Sequence, residues 1–70
     1  MGTVDAHITG TVWTVEVVVG DVISDGDVVA VLESMKMEMP VESEVVGTVV
    51  EVLCATGDAV TEGQALVRLG

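Results

Sequence analysis

A single lysine stands between two methionines in the stretch LESMKMEMP, residues 32–40. This residue, Lys36, is the only lysine of the 70-residue chain, because Lys and Arg together number two and the other is Arg68. A lysine amine becomes a nucleophile once it has lost its proton. Met35 and Met37 provide adaptable apolar surface, which suits a spot that several partners must contact. We therefore interpret Lys36 as a site and not as a solubilising surface charge.

The residues on either side of Lys36 predict a tight hairpin. The strand-like runs VVAVLES and MEMPV leave only Met35 and Lys36 for the loop. Two-residue loops favour type I′ or II′ turns, in which residues take positive φ and sequences such as Asn-Gly are preferred. A non-glycine residue in the left-handed region is disfavoured by roughly 1–2 kcal/mol. Strained turns persist where something requires their side chains, so we expect Lys36 at an exposed, functional tip.

An internal repeat determines how this hairpin is positioned. Residues 10–33 align without a gap on residues 47–70, at an offset of 37 residues (47 − 10). The matches that valine richness does not explain are Gly10/Gly47, Thr11/Thr48, Gly20/Gly57, Asp21/Asp58, Gly26/Gly63 and Leu32/Leu69. Glycines in register indicate recurring turns. The repeat mate of Lys36 would be residue 73, beyond the chain, so we expect the hairpin at one end of the domain and both termini at the other.

Composition favours an all-β fold. Half of the chain is hydrophobic, mostly valine, and Trp13 is the only aromatic residue. Branched side chains of this kind suit pleated sheets, and no useful length of the chain has helical periodicity. Long strands are predicted over TVWTVEVVV (11–19) and TVVEVLCA (48–55), and closing strands over VVAVLE (28–33) and ALVRL (65–69). A chain of this length is one domain, residues 1–70, with repeat halves of about 1–36 and 37–70.

Charge and hydrophobic patterning exclude several classes of function. The net charge of −10 and the pI near 4.1 argue against nucleic acid and anionic membranes as partners. The longest uncharged stretch, Ala6 to Val15, has ten residues, whereas a membrane-spanning helix needs about 20. The N-terminal MGTVDA lacks the basic and apolar segments of a signal peptide. With a free cysteine besides, we expect a cytoplasmic protein.

Other residues with chemical potential have simpler explanations. Cys54 is the only cysteine, so neither an intrachain disulfide nor a Cys-x-x-Cys site exists, and its repeat mate Val17 indicates a core position. His7 is expected on the surface near the N-terminus. The acids of GDVISDGD, residues 20–27, do not match the spacing of a calcium loop and are better explained as turn residues. Trp13 is expected on an outer face, where either packing or a partner contact would explain it.

The stretch ESMKMEMPV, residues 33–41, resembles the attachment motif of biotinyl domains, which is usually Ala or Ser followed by Met-Lys-Met, with an upstream Glu. Lys36 matches the biotinylated position. Met35 and Met37 match the flanking recognition positions, and Glu33 matches the upstream acid. Ser34 is one of the two residues common at its position. The resemblance covers nearly the whole chain, through the GTV, GD and G positions of both halves.

The resemblance implies a biotinyl/lipoyl carrier fold, a flattened barrel-sandwich of two four-stranded sheets with pseudo-twofold symmetry. It implies that a biotin protein ligase attaches biotin to Lys36 through an amide. The biotin would then carry a carboxyl group between the active sites of a biotin carboxylase and a carboxyltransferase. The domain would supply reach and effective concentration at both sites, and would not itself be an enzyme.

Two alternatives remain beside the biotin carrier. Lipoyl carriers share the fold, but their tip typically reads Asp-Lys-Ala or similar, whereas this one reads Met-Lys-Met. An unmodified interaction module would stay unmodified in cells that hold an active ligase. The halves align without a gap, so the chain lacks the protruding insert of some bacterial carboxylase carriers. It resembles short, free-standing biotin attachment proteins, and we expect a monomer.

Overall fold

The computed structural model describes residues 2–70, which form eight β-strands. They are β1 (Gly2–Asp5), β2 (Gly10–Val15), β3 (Val22–Ile23), β4 (Val28–Ser34), β5 (Met37–Glu42), β6 (Gly47–Val52), β7 (Ala59–Val60) and β8 (Ala65–Leu69). Within residues 2–70 no helix has the length and hydropathy that crossing a membrane requires. The predicted all-β class is confirmed.

The strands form two four-stranded sheets with matching topology. One sheet has the order β1-β8-β6-β3, and the other has the order β5-β4-β2-β7. Adding the 37-residue offset converts β2 into β6 and β3 into β7, so each sheet maps onto the other. Each sheet therefore takes two strands from each half of the repeat. The predicted two-sheet sandwich with pseudo-twofold symmetry is confirmed, and the two halves are interleaved by strand exchange.

The core lies between the two sheets and consists of small and branched side chains. Its buried members are Val4, Ala6, Val12, Val17, Ile23, Val29, Ala30, Leu32, Val41, Val49, Cys54, Val60, Leu66, Val67 and Leu69. They come from both halves, so neither half buries a core of its own. The Lys36 hairpin joins β4 to β5, so the core that supports it is built by strands from both halves of the chain.

Four equivalent turns connect the strands. Each has a glycine at its third position, with φ of +101° at Gly20, +91° at Gly26, +95° at Gly57 and +89° at Gly63. A positive φ at this position is the requirement of a type II turn. In each turn the fourth residue also accepts a hydrogen bond from the backbone N–H of the first; the pairs are Asp21–Val18, Asp27–Ser24, Asp58–Ala55 and Gln64–Thr61. The prediction that these acids serve turns is confirmed for Asp21, Asp27 and Asp58.

Replacing a turn glycine is expected to destabilise the fold through backbone strain alone. A Cβ at Gly26 would meet no atom within 4 Å, so Gly26→Val adds no clash and forces valine to a positive φ. A cost of about 1–2 kcal/mol corresponds to a fall in melting temperature of about 4–16 °C in a domain of this size. Gly2→Val is the matched control, because a Cβ there also meets no atom within 4 Å and Gly2 lies in a strand, β1. Equal melting temperatures for the two variants would contradict the turn assignment.

The long strands end earlier than the sequence predicts. The sequence predicts that the first long strand extends to Val19, but β2 ends at Val15. Val18 instead begins the turn that Asp21 closes, both through its carboxylate and through a backbone hydrogen bond of 3.1 Å to the carbonyl of Val18. In the same way β6 ends at Val52, ahead of the corresponding turn, which Asp58 closes. Turn hydrogen bonds outweigh the strand preference of the valines after β2, and the strand predicted over residues 48–55 is shortened in the same way.

A bulge in β2 turns Trp13 outward. The register against β4 shifts between Val12 and Thr14, so Val12 is buried and Val15 packs against the core although the two are three residues apart. Trp13 is half exposed, as predicted. Extra residues at bulges interrupt the period-2 alternation of a strand, and this one keeps both valines on the inner face.

The hairpin and the ends of the described chain lie apart. From Met37, beside the tip, β5 runs to Glu42, a distance of about 16 Å at the usual rise of a strand. Beyond β5, Val45 and Val46 line a small groove together with Gly2, Leu69 and Gly70. The predicted separation of the tip from the two termini therefore holds for Gly2 and Gly70.

Candidate functional site

Lys36 lies in the two-residue loop that joins β4 to β5. The last cross-strand pair before the loop is Ser34 with Met37, and the preceding pair is Glu33 with Glu38. The next pair, Leu32 with Met39, anchors the hairpin, because Leu32 is fully buried. The predicted two-residue hairpin is therefore present, and it continues directly from a strand embedded in the core.

Both loop residues have left-handed backbone conformations. The φ angles are 54° at Met35 and 65° at Lys36, and positive φ at both central residues is the signature of a type I′ turn. Among residues 2–70 these are the only non-glycine residues with positive φ. At roughly 1–2 kcal/mol for each residue, these conformations strain the backbone of the tip. The predicted conflict between side chains and turn geometry is thus present.

The side chains at the tip point into solvent. Met35 is 91% exposed and Met37 is 61% exposed, which are unusual values for large apolar residues. Lys36 is exposed too, and within residues 2–70 the one ion pair joins Arg68 to Glu51, so Lys36 has no carboxylate within 4 Å in that range. An unpaired amine with two exposed thioethers beside it is accessible to a partner from several directions. The methionines do not contribute packing to the core.

A pair of carboxylates stands behind the tip on the outer face. Glu33 and Glu38 are directly opposite each other and both are exposed. Like charges at opposite positions of an antiparallel pair are destabilising. Neither carboxylate forms an ion pair within the described chain. The hairpin therefore presents one amine at its tip and two uncompensated carboxylates within three residues of it.

Glu38 was absent from the sequence-based set of site residues, which comprised Lys36, Met35, Met37 and Glu33. The signal that could have found it is the loop length. A two-residue loop at 35–36 forces Glu33 to face Glu38, because paired positions are then equidistant from the loop. Ser34 contributes backbone to the last pair of the hairpin and is half-buried.

The remaining candidates do not join this site. Burial, with a smaller contribution from the carboxylate of Asp58, raises the pKa of the Cys54 thiol, so the protonated and unreactive form is favoured. His7 is exposed, as expected. No group of three or more His, Cys, Asp and Glu side chains in residues 2–70 is arranged to hold a metal ion. The chemistry of the described chain is concentrated at the hairpin.

The tip fits a covalently attached group. The amine of Lys36 is exposed and unpaired, so acylation would break no contact of the described chain. Acylation removes one positive charge, which changes the formal net charge from −10 to −11. Because β4 and β5 are paired strands of the sheet, a group attached to Lys36 would extend away from an ordered hairpin.

Comparison with known proteins agrees with this geometry. The family model described as "Biotin-requiring enzyme" matches residues 1–69. The Biotin/lipoyl attachment protein of Bacillus subtilis is 46% identical over 67 residues, which covers 96% of this chain and 92% of that protein. The Biotinylated protein TB7.3 homolog of Mycobacterium leprae is 44% identical over 63 residues, covering 90% of this chain and 89% of that one.

A solved structure shows the same fold inside a large enzyme. The Kluyveromyces lactis urea carboxylase matches 99% of this chain with a TM-score of 0.89 and 32% identity, but the match covers only 6% of that enzyme. The fold thus occurs both as a small protein and as a small part of a carboxylase. The chain belongs to the biotin/lipoyl attachment family, and it is a biotin carrier domain.

Proposed function

We propose that Lys36 is the residue that carries biotin. The observation that supports this most directly is that the only lysine of the chain occupies a strained, exposed two-residue tip with an unpaired amine. A turn of two non-glycine residues with positive φ destabilises the fold, and a surface charge could be placed on an unstrained strand without that cost in free energy. The strain is explained if the turn serves to hold one amine away from the rest of the domain.

The attachment step is an acyl transfer to the amine. A biotin protein ligase removes a proton from the ammonium group of Lys36 and presents biotinyl-adenylate. The nitrogen lone pair attacks the acyl carbon, the new C–N bond forms, and the C–O bond to AMP breaks with AMP as the leaving group. The nitrogen then loses its second proton to solvent, which leaves a neutral amide. Lys36 contributes the nucleophile, and the rigid hairpin holds it where the ligase can reach it.

Once attached, biotin supplies the position on which a carboxyl group is carried. We propose that the partners are the biotin carboxylase and carboxyltransferase sites of a biotin-dependent carboxylase. The exposed thioethers of Met35 and Met37 would contact these partners as the tip enters each active site. The domain raises the effective concentration of biotin at both sites and does no chemistry itself.

Intact mass measured before and after incubation with a biotin protein ligase, biotin and ATP tests the proposal. We expect the mass to rise by one biotinyl group, with a single modified species. The same incubation with lipoate and a lipoate ligase provides the comparison, and we expect little product there. A chain that acquires lipoate and not biotin would contradict the proposal, and so would a chain that acquires neither.

The carboxylates of Glu33 and Glu38 are proposed to guide the ligase. Their repulsion destabilises the hairpin, so Glu38→Gln should raise the stability slightly, by about 0.2–1 kcal/mol. The same change should slow biotinylation, and the difference from the native chain should shrink at high salt, because screening weakens attraction to a basic cleft. Glu42→Gln is the matched control, since Glu42 lies on the same strand but pairs with Val28 far from the tip. Equal kcat/KM for both variants would show that carboxylate position is irrelevant.

A further inference from the structure

Gly10, the first residue of β2, lies unusually close to the base of the hairpin. A Cβ built on Gly10 would approach the backbone carbonyl oxygen of Glu33 to less than 3.0 Å, and the carbonyl carbon to 3.2 Å. It would also lie 3.4 Å from the Cβ of Ser34. The closest obstacle is backbone, which cannot rotate away as a side chain could. Only glycine allows β2 to approach this part of β4 so closely.

The repeat provides an internal comparison for this contact. The mate of Gly10 is Gly47, and the mate of the Glu33 carbonyl is that of Gly70. A Cβ on Gly47 would lie 3.4 Å from the Gly70 oxygen, and its nearest neighbour, at 3.2 Å, is the Cβ of Leu69. The equivalent approach is therefore looser in the second half of the repeat. The closer approach is thus specific to the half that carries the hairpin.

We propose that Gly10 is a positioning residue for Lys36. By admitting the Glu33 carbonyl so closely, Gly10 holds the last residues of β4 against β2, which is an interior strand of its sheet. Ser34 is two residues from Lys36, so this contact between β2 and β4 lies close to the strained turn. A reacting group displaced by a fraction of its working distance loses rate steeply. This inference rests on the proposed role of Lys36.

Gly10→Ala and Gly47→Ala form a matched pair for testing it. Each adds one methyl group at equivalent positions of the repeat, but only the first displaces the hairpin. We expect kcat/KM for biotinylation to fall about tenfold in Gly10→Ala, through kcat more than KM, and to stay within about twofold of the native value in Gly47→Ala. In NMR spectra, Gly10→Ala should shift the amide signals of residues 34–37, whereas Gly47→Ala should leave them in place. Assays at low temperature on samples with folded spectra separate this effect from unfolding.

A second pair of variants approaches the same contact from the hairpin and does not depend on the stability of Gly10→Ala. Ser34→Gly retains Gly10 but removes the Cβ beside it and loosens the backbone, whereas Ser34→Ala keeps the Cβ. We expect slower biotinylation in Ser34→Gly and unchanged biotinylation in Ser34→Ala. Equal rates in this pair, or equal rates and equal tip spectra in the Gly10 and Gly47 pair, would overturn the proposal.

Failure of the proposed function gives a different pattern. If the native chain acquires no biotin, Lys36 is not the acceptor. There is then no native biotinylation rate with which the variants can be compared. The spectra still decide the positioning role: tip signals that move only in Gly10→Ala support it, and tip signals that move in neither variant or in both contradict it.

Discussion

Lys36→Arg is expected to abolish biotin incorporation completely while leaving the fold intact. A guanidinium group is not acylated under these conditions, because it stays protonated. No other lysine exists to take over, and Arg68, the second basic residue, has the same limitation. The substitution keeps the positive charge and the net charge of −10. Because Lys36 is exposed and unpaired within residues 2–70, the melting temperature should not change measurably.

Avidin blotting and intact mass after ligase treatment measure this outcome, with the native chain treated in parallel. The circular dichroism spectrum and melting temperature provide the folding control. A biotin signal retained in Lys36→Arg would place the acceptor elsewhere, and peptide mapping would then locate it. Such a result would also remove the functional reason for a strained tip, since the lysine there would be dispensable.

The overall fold could be predicted because its determinants are local and occur twice. Gly20 and Gly57, with Gly26 and Gly63, mark turns whose positive φ only glycine adopts readily, and their common spacing revealed the symmetry. The hairpin was predictable for a related reason: two strand-like runs left only two residues between them. Two-residue loops have few permitted geometries, so positive φ at Met35 and Lys36 followed from the loop length.

Other features depend on distances that no local pattern encodes. Strand preference alone could not locate the end of β2 at Val15, because valines continue to Val19 and the deciding interaction is the hydrogen bond that the Asp21 carboxylate accepts from the backbone N–H of Val18. The interleaving of the halves was equally hidden, since a repeat does not reveal whether its copies pair internally or exchange strands. The repeat marks Gly10 as a glycine in register and predicts a turn there, but Gly10 begins β2 without a positive φ, and the close approach of the Glu33 carbonyl is what requires glycine.

The strain at the tip makes the support of the hairpin important. Two left-handed residues at roughly 1–2 kcal/mol each form a large fraction of the 5–15 kcal/mol by which small domains are typically stable. The ladder between β4 and β5 and the burial of Leu32 must outweigh that strain. A tip held this way is preorganised, so a ligase need not supply the ordering of the lysine. This reasoning predicts that biotinylation depends on where in the turn the lysine is, and not only on its exposure.

Exchanging the two tip residues, Met35→Lys with Lys36→Met, tests that dependence. The exchange conserves composition, net charge and the number of non-glycine residues with positive φ, so the melting temperature should stay close to the native value. Successive residues of a strand or tight hairpin direct their side chains to different sides, so the moved amine should point away from its native direction. We expect kcat/KM for biotinylation to fall about 100-fold, as for a reacting group held in the wrong place.

The ligase assay is run on both chains at equal concentration, with intact mass as the readout and Lys36→Arg as the blank. A slow reaction in the exchanged chain, with an unchanged melting temperature, would show that the ligase reads the position of the amine on a rigid turn. If both chains reacted at equal rates, exposure alone would be sufficient. The strained geometry of Met35 and Lys36 would then need another explanation, and the positioning role of Gly10 would lose its purpose, because a ligase indifferent to a one-residue shift would not detect the smaller displacement caused by a methyl group.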